Sequence, residues 1–251
     1  IAVDMSAVPV LEGFNITIST SAVLLGHPTP VVRGIGLDLL GNLSGVNELT
    51  IAMDPAASQV ATEVTLHESG STTSSGTWGF DSVELKSGQR LTLRTQLTAS
   101  VVGAALELEL SGRLMLRPGS LVRGNVLHIS ANEVELQGAA AGDAAAIAAD
   151  GEGYWSNTGP GVLASGGSDF VGGSHGGRGG ASSAGASMAD EYGSIFTPTQ
   201  PGAGGHTGTL PRRGGPGSSS RGGGAVVIDA DKLQLDGEIR ARGDNSALYY
   251  G

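Results

Sequence analysis

The chain has 251 residues, of which 43 are glycine and none cysteine, and a formal net charge of −10. With 15 % charged and 4 % aromatic residues it fits an ordinary helical enzyme domain poorly. Its acidic balance removes the global field that would hold a nucleic-acid backbone or an anionic membrane surface. The absence of cysteine excludes disulfides, thiolate nucleophiles and cysteine-bound metals. The most apolar stretches, residues 101–110 and 139–149, are short and interrupted. A membrane helix needs roughly 20 apolar residues, so no membrane insertion is expected.

In chain order, short alternating runs come at residues 15–18, 48–52, 63–66, 83–85, 91–93, 106–110, 114–116, 126–129, 134–136, 226–228 and 233–235. Apolar side chains alternate there with Thr, Glu, Arg or Gln, and Gly, Ser, Asn and Pro bound the runs, which predicts strands. Only the alanine-rich stretch 144–149 approaches helical spacing. Residues 69–79, rich in Ser and Thr, read as a long turn or linker. Two organisations of residues 1–100 are therefore open: coils continuous with those of residues 101–251, or a separate β-sandwich-like unit.

Ile129, Ala131, Val134, Leu136 and Gly138 recur with the same spacings as Ile228, Ala230, Leu233, Leu235 and Gly237. The alternation changes phase between the second and third members, which predicts a corner where the chain leaves one sheet for another. A fainter copy at Leu108, Leu110, Leu114 and Leu116 is one residue out of step. Stacked copies of this kind predict an all-β chain forming a right-handed parallel β-helix (β-solenoid), with the second copy beside the first in one parallel sheet. Between them, 24 of the 43 glycines fall within residues 151–224, where a uniform spread would put about 13. This segment reads as a glycine-rich loop inserted into a β-helix spanning 101–251. Tyr154, Trp155, Phe170, Tyr192, Ile195 and Phe196 are spaced as anchors for an ordered, closely packed loop.

The order of Gly172-Gly173-Ser174-His175-Gly176-Gly177-Arg178-Gly179-Gly180, Tyr192-Gly193-Ser194, Arg221-Gly222-Gly223-Gly224-Ala225-Val226-Val227-Ile228 and Leu233-Gln234-Leu235-Asp236-Gly237 is distinctive. Across about residues 125–245 it resembles a glycine-rich module of large secreted or cell-surface proteins of bacteria, algae and other protists. The resemblance implies right-handed parallel β-helix architecture and carries no assigned catalytic residue.

The remaining motifs carry little chemistry. His175 lacks partners at ligand spacing, which favours a structural hydrogen bond within packed glycine backbone over a metal or catalytic role. Glu107 and Glu109, and Glu133 and Glu135, alternate as outward residues of solvated strands. No cofactor, metal or catalytic residue is assigned. Asn15-Ile16-Thr17 and Asn42-Leu43-Ser44 are sequons, making Asn15 and Asn42 glycosylation candidates on a secretory route. Arg242-Gly243-Asp244 is an integrin-type adhesive tripeptide.

The chain begins with Ile1 and stops inside a repeat without an evident cap, so a processed or partial piece of a longer protein is expected. An uncapped strand edge calls for further domains or another copy of the chain. The resulting expectation is a non-catalytic structural building block of an extracellular or cell-surface filament, coat or adhesin stalk, assembling head to tail and carrying glycans. The alternative is a carbohydrate-binding or polysaccharide-cleaving β-helix.

Overall fold

The computed structural model describes residues 2–12, 16–18, 23–33, 36–40, 42–52, 62–67, 77–95, 105–140, 142–155, 158–162, 173–179, 189–205 and 221–244. Among them there is no helix, and so none long and apolar enough to cross a membrane. The strands are β1 (Ala2–Asp4), β2 (Val10–Glu12), β3 (Ile16–Ile18), β4 (Val23–Leu25), β5 (Val31–Arg33), β6 (Gly36–Leu39), β7 (Asn42–Ser44), β8 (Glu48–Ala52) and β9 (Glu63–His67). They continue as β10 (Trp78–Phe80), β11 (Ser82–Leu85), β12 (Arg90–Arg94), β13 (Leu106–Leu116), β14 (Leu121–Gly124), β15 (Val126–Leu136), β16 (Ala146–Ala148), β17 (Ala225–Leu235) and β18 (Glu238–Arg240).

The all-β expectation holds, but the right-handed parallel β-helix does not. The strands form two large parallel sheets packed in layers and not a closed solenoid. One sheet has eight strands, with the order β17-β15-β13-β11-β8-β5-β2 and β10 paired to β13; the other has seven, β18-β16-β14-β12-β9-β6-β3. A third sheet contains only β1, β4 and β7. The physical reason is that period-two alternation reports one buried face per strand. A pair of layers satisfies that requirement as well as a closed coil does.

The chain divides into two compact units. The first comprises Ile1–Thr95, Ala105–Ala148 and Ile228–Ile239; the second comprises Gln96–Ala104, Ala149–Val227 and Arg240–Gly251. In the first unit, strands before and after residue 100 share both large sheets. The predicted linker lies mostly outside the described residues.

Register explains the core of the first unit. Leu11, Val32, Ile51, Leu85, Leu116 and Leu136 are successive partners across the eight-stranded sheet. Leu37, Val64, Leu91, Val122 and Ile147 form the matching row of the seven-stranded sheet. All are buried, most of them completely. Each such side chain contributes on the order of 1.5–3 kcal/mol through burial. Gln89, buried between the layers, is satisfied at both ends of its amide: Oε1 accepts from Thr62 N at 2.7 Å while Nε2 donates to Ser87 O at 2.8 Å, whereas the buried Thr95 Oγ1 has no hydrogen-bond partner among the described residues. The indole of the fully buried Trp78 donates to His67 O at 3.1 Å.

Tight turns carry the chain between the layers. Gln89 N donates to Lys86 O at 3.1 Å and Ser120 N to Arg117 O at 3.0 Å, closing equivalent turns before β12 and β14. Their third residues, Gly88 and Gly119, have φ of 77° and 75°, the left-handed conformation that a type II turn requires there.

The predicted corner is also revised. Ala131 and Val134 lie in one continuous strand, β15, so the chain does not change sheets between them. The neighbouring β13 shifts register between Leu110 and Arg113. Leu108 pairs with Ile129, and Leu114 with Val134, so β13 holds one extra residue. That β-bulge is why the third copy of the repeat is out of step.

In the second unit, glycine backbones hydrogen-bond across three segments. Tyr154 N donates to Gly202 O at 3.0 Å, Gly202 N to Gly223 O at 2.7 Å, and Gly222 N to Tyr154 O at 3.0 Å. A Cβ on Gly153 would sit 2.6 Å from Gly202 O, so a side chain there would separate the segments.

Candidate functional site

The most distinctive surface of the first unit is the end of its sheets at β17 and β18. The repeated motif is paired as the sequence predicted: β17 lies beside β15. Lys232 pairs with Glu133, 99 residues away. Asp236 N donates to Leu136 O at 2.9 Å, the pattern by which Gln137 N, next after the Leu116–Leu136 pair, donates to Leu116 O. Leu235 therefore stands opposite Leu136, and Leu233 opposite Val134.

These equivalent residues have unequal surroundings. Val134 and Leu136 are 0 % exposed, whereas Leu233 and Leu235 are 48 % and 47 % exposed. Ile239 on β18 is also exposed. The difference follows from position: among the described residues β15 has a strand on each side, while β17 is terminal in the strand order. Sequence periodicity identifies these leucines as interior and contains no signal for the missing cover.

The polar face of the eight-stranded sheet is a charge lattice. Glu84 lies 2.7 Å from Lys86 and 3.0 Å from Arg117. Burial pushes its carboxyl up, but the hydrogen bonds and charges of Lys86 and Arg117 outweigh this and hold it below its ordinary value. Glu107 faces His128 at 3.4 Å, and Glu135 accepts from Gln137 Nε2 at 2.7 Å. Glu107, Glu133 and Glu135 of the paired glutamates are thus tied into the solvated lattice. A depression of about 420 Å³ is lined by Asn47, Phe80, Asp81, Glu109 and Ser111 among others, and Ser111 Oγ donates to Asp81 Oδ1 at 2.8 Å.

Asn42 lies exposed on β7, while Asn15 is outside the described residues. In the second unit, Arg242 N donates to Asp150 Oδ1 at 2.8 Å and Asp244 N to Arg221 O at 3.0 Å. Arg242, Gly243 and Asp244 are all exposed, with this backbone tied to the neighbouring segments.

His175 departs from the expected structural hydrogen bond. Among the described residues its buried Nε2 has no hydrogen-bond partner, and its ring meets Tyr192 edge-on at 5.0 Å. Tyr192 is anchored instead: its hydroxyl donates to Pro201 O at 2.5 Å. Burial raises its phenol pKa, with a further contribution from Tyr154. Arg221 lies 3.8 Å over the ring of the exposed Trp155, a cation–π contact. Among the described residues, no three His, Asp or Glu side chains converge to hold a metal ion.

Comparison with protein-family models, curated proteins and solved structures gives no match.

Proposed function

We propose that this chain is a non-catalytic structural building block of an extracellular or cell-surface filament, coat or adhesin stalk, in which copies join head to tail. The observation that carries the reading is the half-exposed pair Leu233 and Leu235 on the terminal strand β17. An edge strand with interior-type side chains is a template for another strand.

A second copy is the occupant for a geometric reason. At the other end of the same sheets lie β2 and β3, and every pairing given for these sheets is parallel. A translated copy would present β2 to β17 with the correct polarity. The apolar cavity beside β2, lined by Met5, Val8, Leu11, Val32 and Leu37 among others, would be covered in the same step. Such a contact is heterologous and propagates. The extracellular placement draws on the exposed sequon residue Asn42.

Sedimentation velocity and electron microscopy over a rising concentration series test the proposal. Chains or filaments are expected, and Leu233→Lys with Leu235→Lys should return them to monomers while preserving the circular dichroism spectrum. A wild-type chain that stays monomeric throughout the series overturns the head-to-tail scaffold.

A further inference from the structure

The second unit holds two adjacent aromatic residues in opposite surroundings: Tyr154 is 2 % exposed and Trp155 53 %. The backbone around Trp155 is fixed on both sides. Tyr154 N donates to Gly202 O and Tyr154 O accepts from Gly222 N, while Trp155 O accepts from Thr158 N at 3.0 Å and from Thr158 Oγ1 at 2.7 Å. The Gly222 bond also brings Arg221 beside Trp155, and Asp244 N holds the Arg221 carbonyl at 3.0 Å. The guanidinium carbon then lies 3.8 Å from the centre of the indole. A ring covered on one face at this distance stays half exposed only through its other face and edge.

Arg221 is held without a counter-charge. Among the described residues its buried Nε has no hydrogen-bond partner, and no carboxylate forms an ion pair with it. The neighbouring acids point elsewhere: Asp150 Oδ2 lies 3.0 Å from Arg240 Nε while its Oδ1 accepts from Arg242 N at 2.8 Å, and Asp244 sets its carboxylate against Gly151. Arg178 of the same unit, by contrast, is paired with Glu191 at 2.8 Å. A buried donor left unpaired is unfavourable and calls for an explanation, which an anion at the guanidinium supplies.

The chemistry of the ligand follows from the pair. An indole face carries negative charge density and takes the slightly positive C–H face of a sugar ring, as it takes the cation on its other side. A guanidinium takes a carboxylate through paired hydrogen bonds. An acidic oligosaccharide meets both, with one ring on the open side of Trp155 and a carboxylate, on that ring or the next, at Arg221. A nucleotide also combines a ring with an anion, but its phosphate brings a denser charge near Asp150 and Asp244 in a chain of net charge −10. Because the backbone already fixes both residues, binding costs little ordering. We propose that Trp155 and Arg221 form a binding site for a carboxylate-bearing sugar of an acidic glycan. The site uses no residue of the head-to-tail contact and is independent of it.

Tryptophan fluorescence of the full chain tests it, because the only other tryptophan, Trp78, is fully buried. Trigalacturonate and sialyllactose present the carboxylate on a uronic and a sialic acid. At least one should shift or quench the Trp155 emission, and lactose, which lacks the carboxylate, should bind about tenfold more weakly or worse. Arg221→Met keeps an apolar stem against the indole and should weaken binding of the acidic sugar by about tenfold. Arg178→Met removes the same charge elsewhere and should alter binding by less than about twofold. If Arg221→Met does not fold, Arg221→Lys, which keeps the charge but loses the fork, should show the same loss in a milder form. The proposal is overturned if neither acidic sugar binds, if lactose binds as tightly, if the Arg221 and Arg178 variants weaken binding equally, or if adenosine monophosphate binds more tightly than either sugar.

Discussion

The carboxylate of Glu133 accepts a hydrogen bond from Nζ of Lys232 across neighbouring strands, joining residues 99 positions apart. The glycine-rich segment between them therefore leaves the pairing of the flanking strands intact. Its many residues cost little extra closure entropy, because that cost grows only logarithmically with loop length.

Lys232→Glu should place like charges opposite each other and lower the hydrogen-exchange protection of β17. Adding Glu133→Lys should restore the protection by reversing the pair. A double variant no better protected than the single one would show that the two side chains do not contribute to this pairing.

Leu136 and Leu235 occupy opposing positions with different burial, so truncation should affect them unequally. Leu136→Ala should cost about 2–5 kcal/mol in urea unfolding, because it removes a fully buried side chain and leaves a cavity. Leu235→Ala should cost the monomer distinctly less. Equal costs would indicate that Leu235 is covered in the isolated chain.

Gly112 lies in the bulge of β13, and its N–H donates to Asp81 O at 2.8 Å. A Cβ there would stand 2.6 Å from that same oxygen, a backbone atom with little freedom to move aside. Gly112→Ala is expected to destabilise the fold by about 1–3 kcal/mol, as overpacking does. Thermal unfolding measures this; an unchanged transition would mean that the bulge relaxes at no cost.

Glu84 makes part of the stability pH-dependent. Its folded-state pKa is depressed, so its contribution is present above the ordinary carboxyl value of 4.5 and is lost as pH falls through the folded value. Replacing Lys86 and Arg117 with Met removes the groups that hold the pKa down. The difference in urea midpoint between neutral pH and about pH 3 should then narrow, with most of the loss at neutral pH. A difference as wide as in the parent chain would remove Glu84 as a source of the acid sensitivity.

The strand positions were largely legible because alternation is local: residues 48–52, 63–66 and 83–85 match or fall within β8, β9 and β11. The pairing of β15 with β17 was legible because both sequences carry the same apolar spacing, which specifies register when one face is buried. The corner was not legible because a bulge and a turn produce the same change of phase in sequence. Trp155 is legible as one of the aromatic residues of the glycine-rich loop, but Arg221 joins it only through the backbone bond between Tyr154 and Gly222.

Period and composition by themselves determined that the chain is all-β, that its repeated strands pair, and that glycine is concentrated in a segment between them. Tertiary structure alone decided that the strands form layers instead of a closed solenoid, that Leu233 and Leu235 remain half-exposed, and that Arg221 lies over Trp155. The physical reason is that a side chain's direction is set within its own strand, whereas its cover and its cross-strand neighbours come from residues distant in the chain.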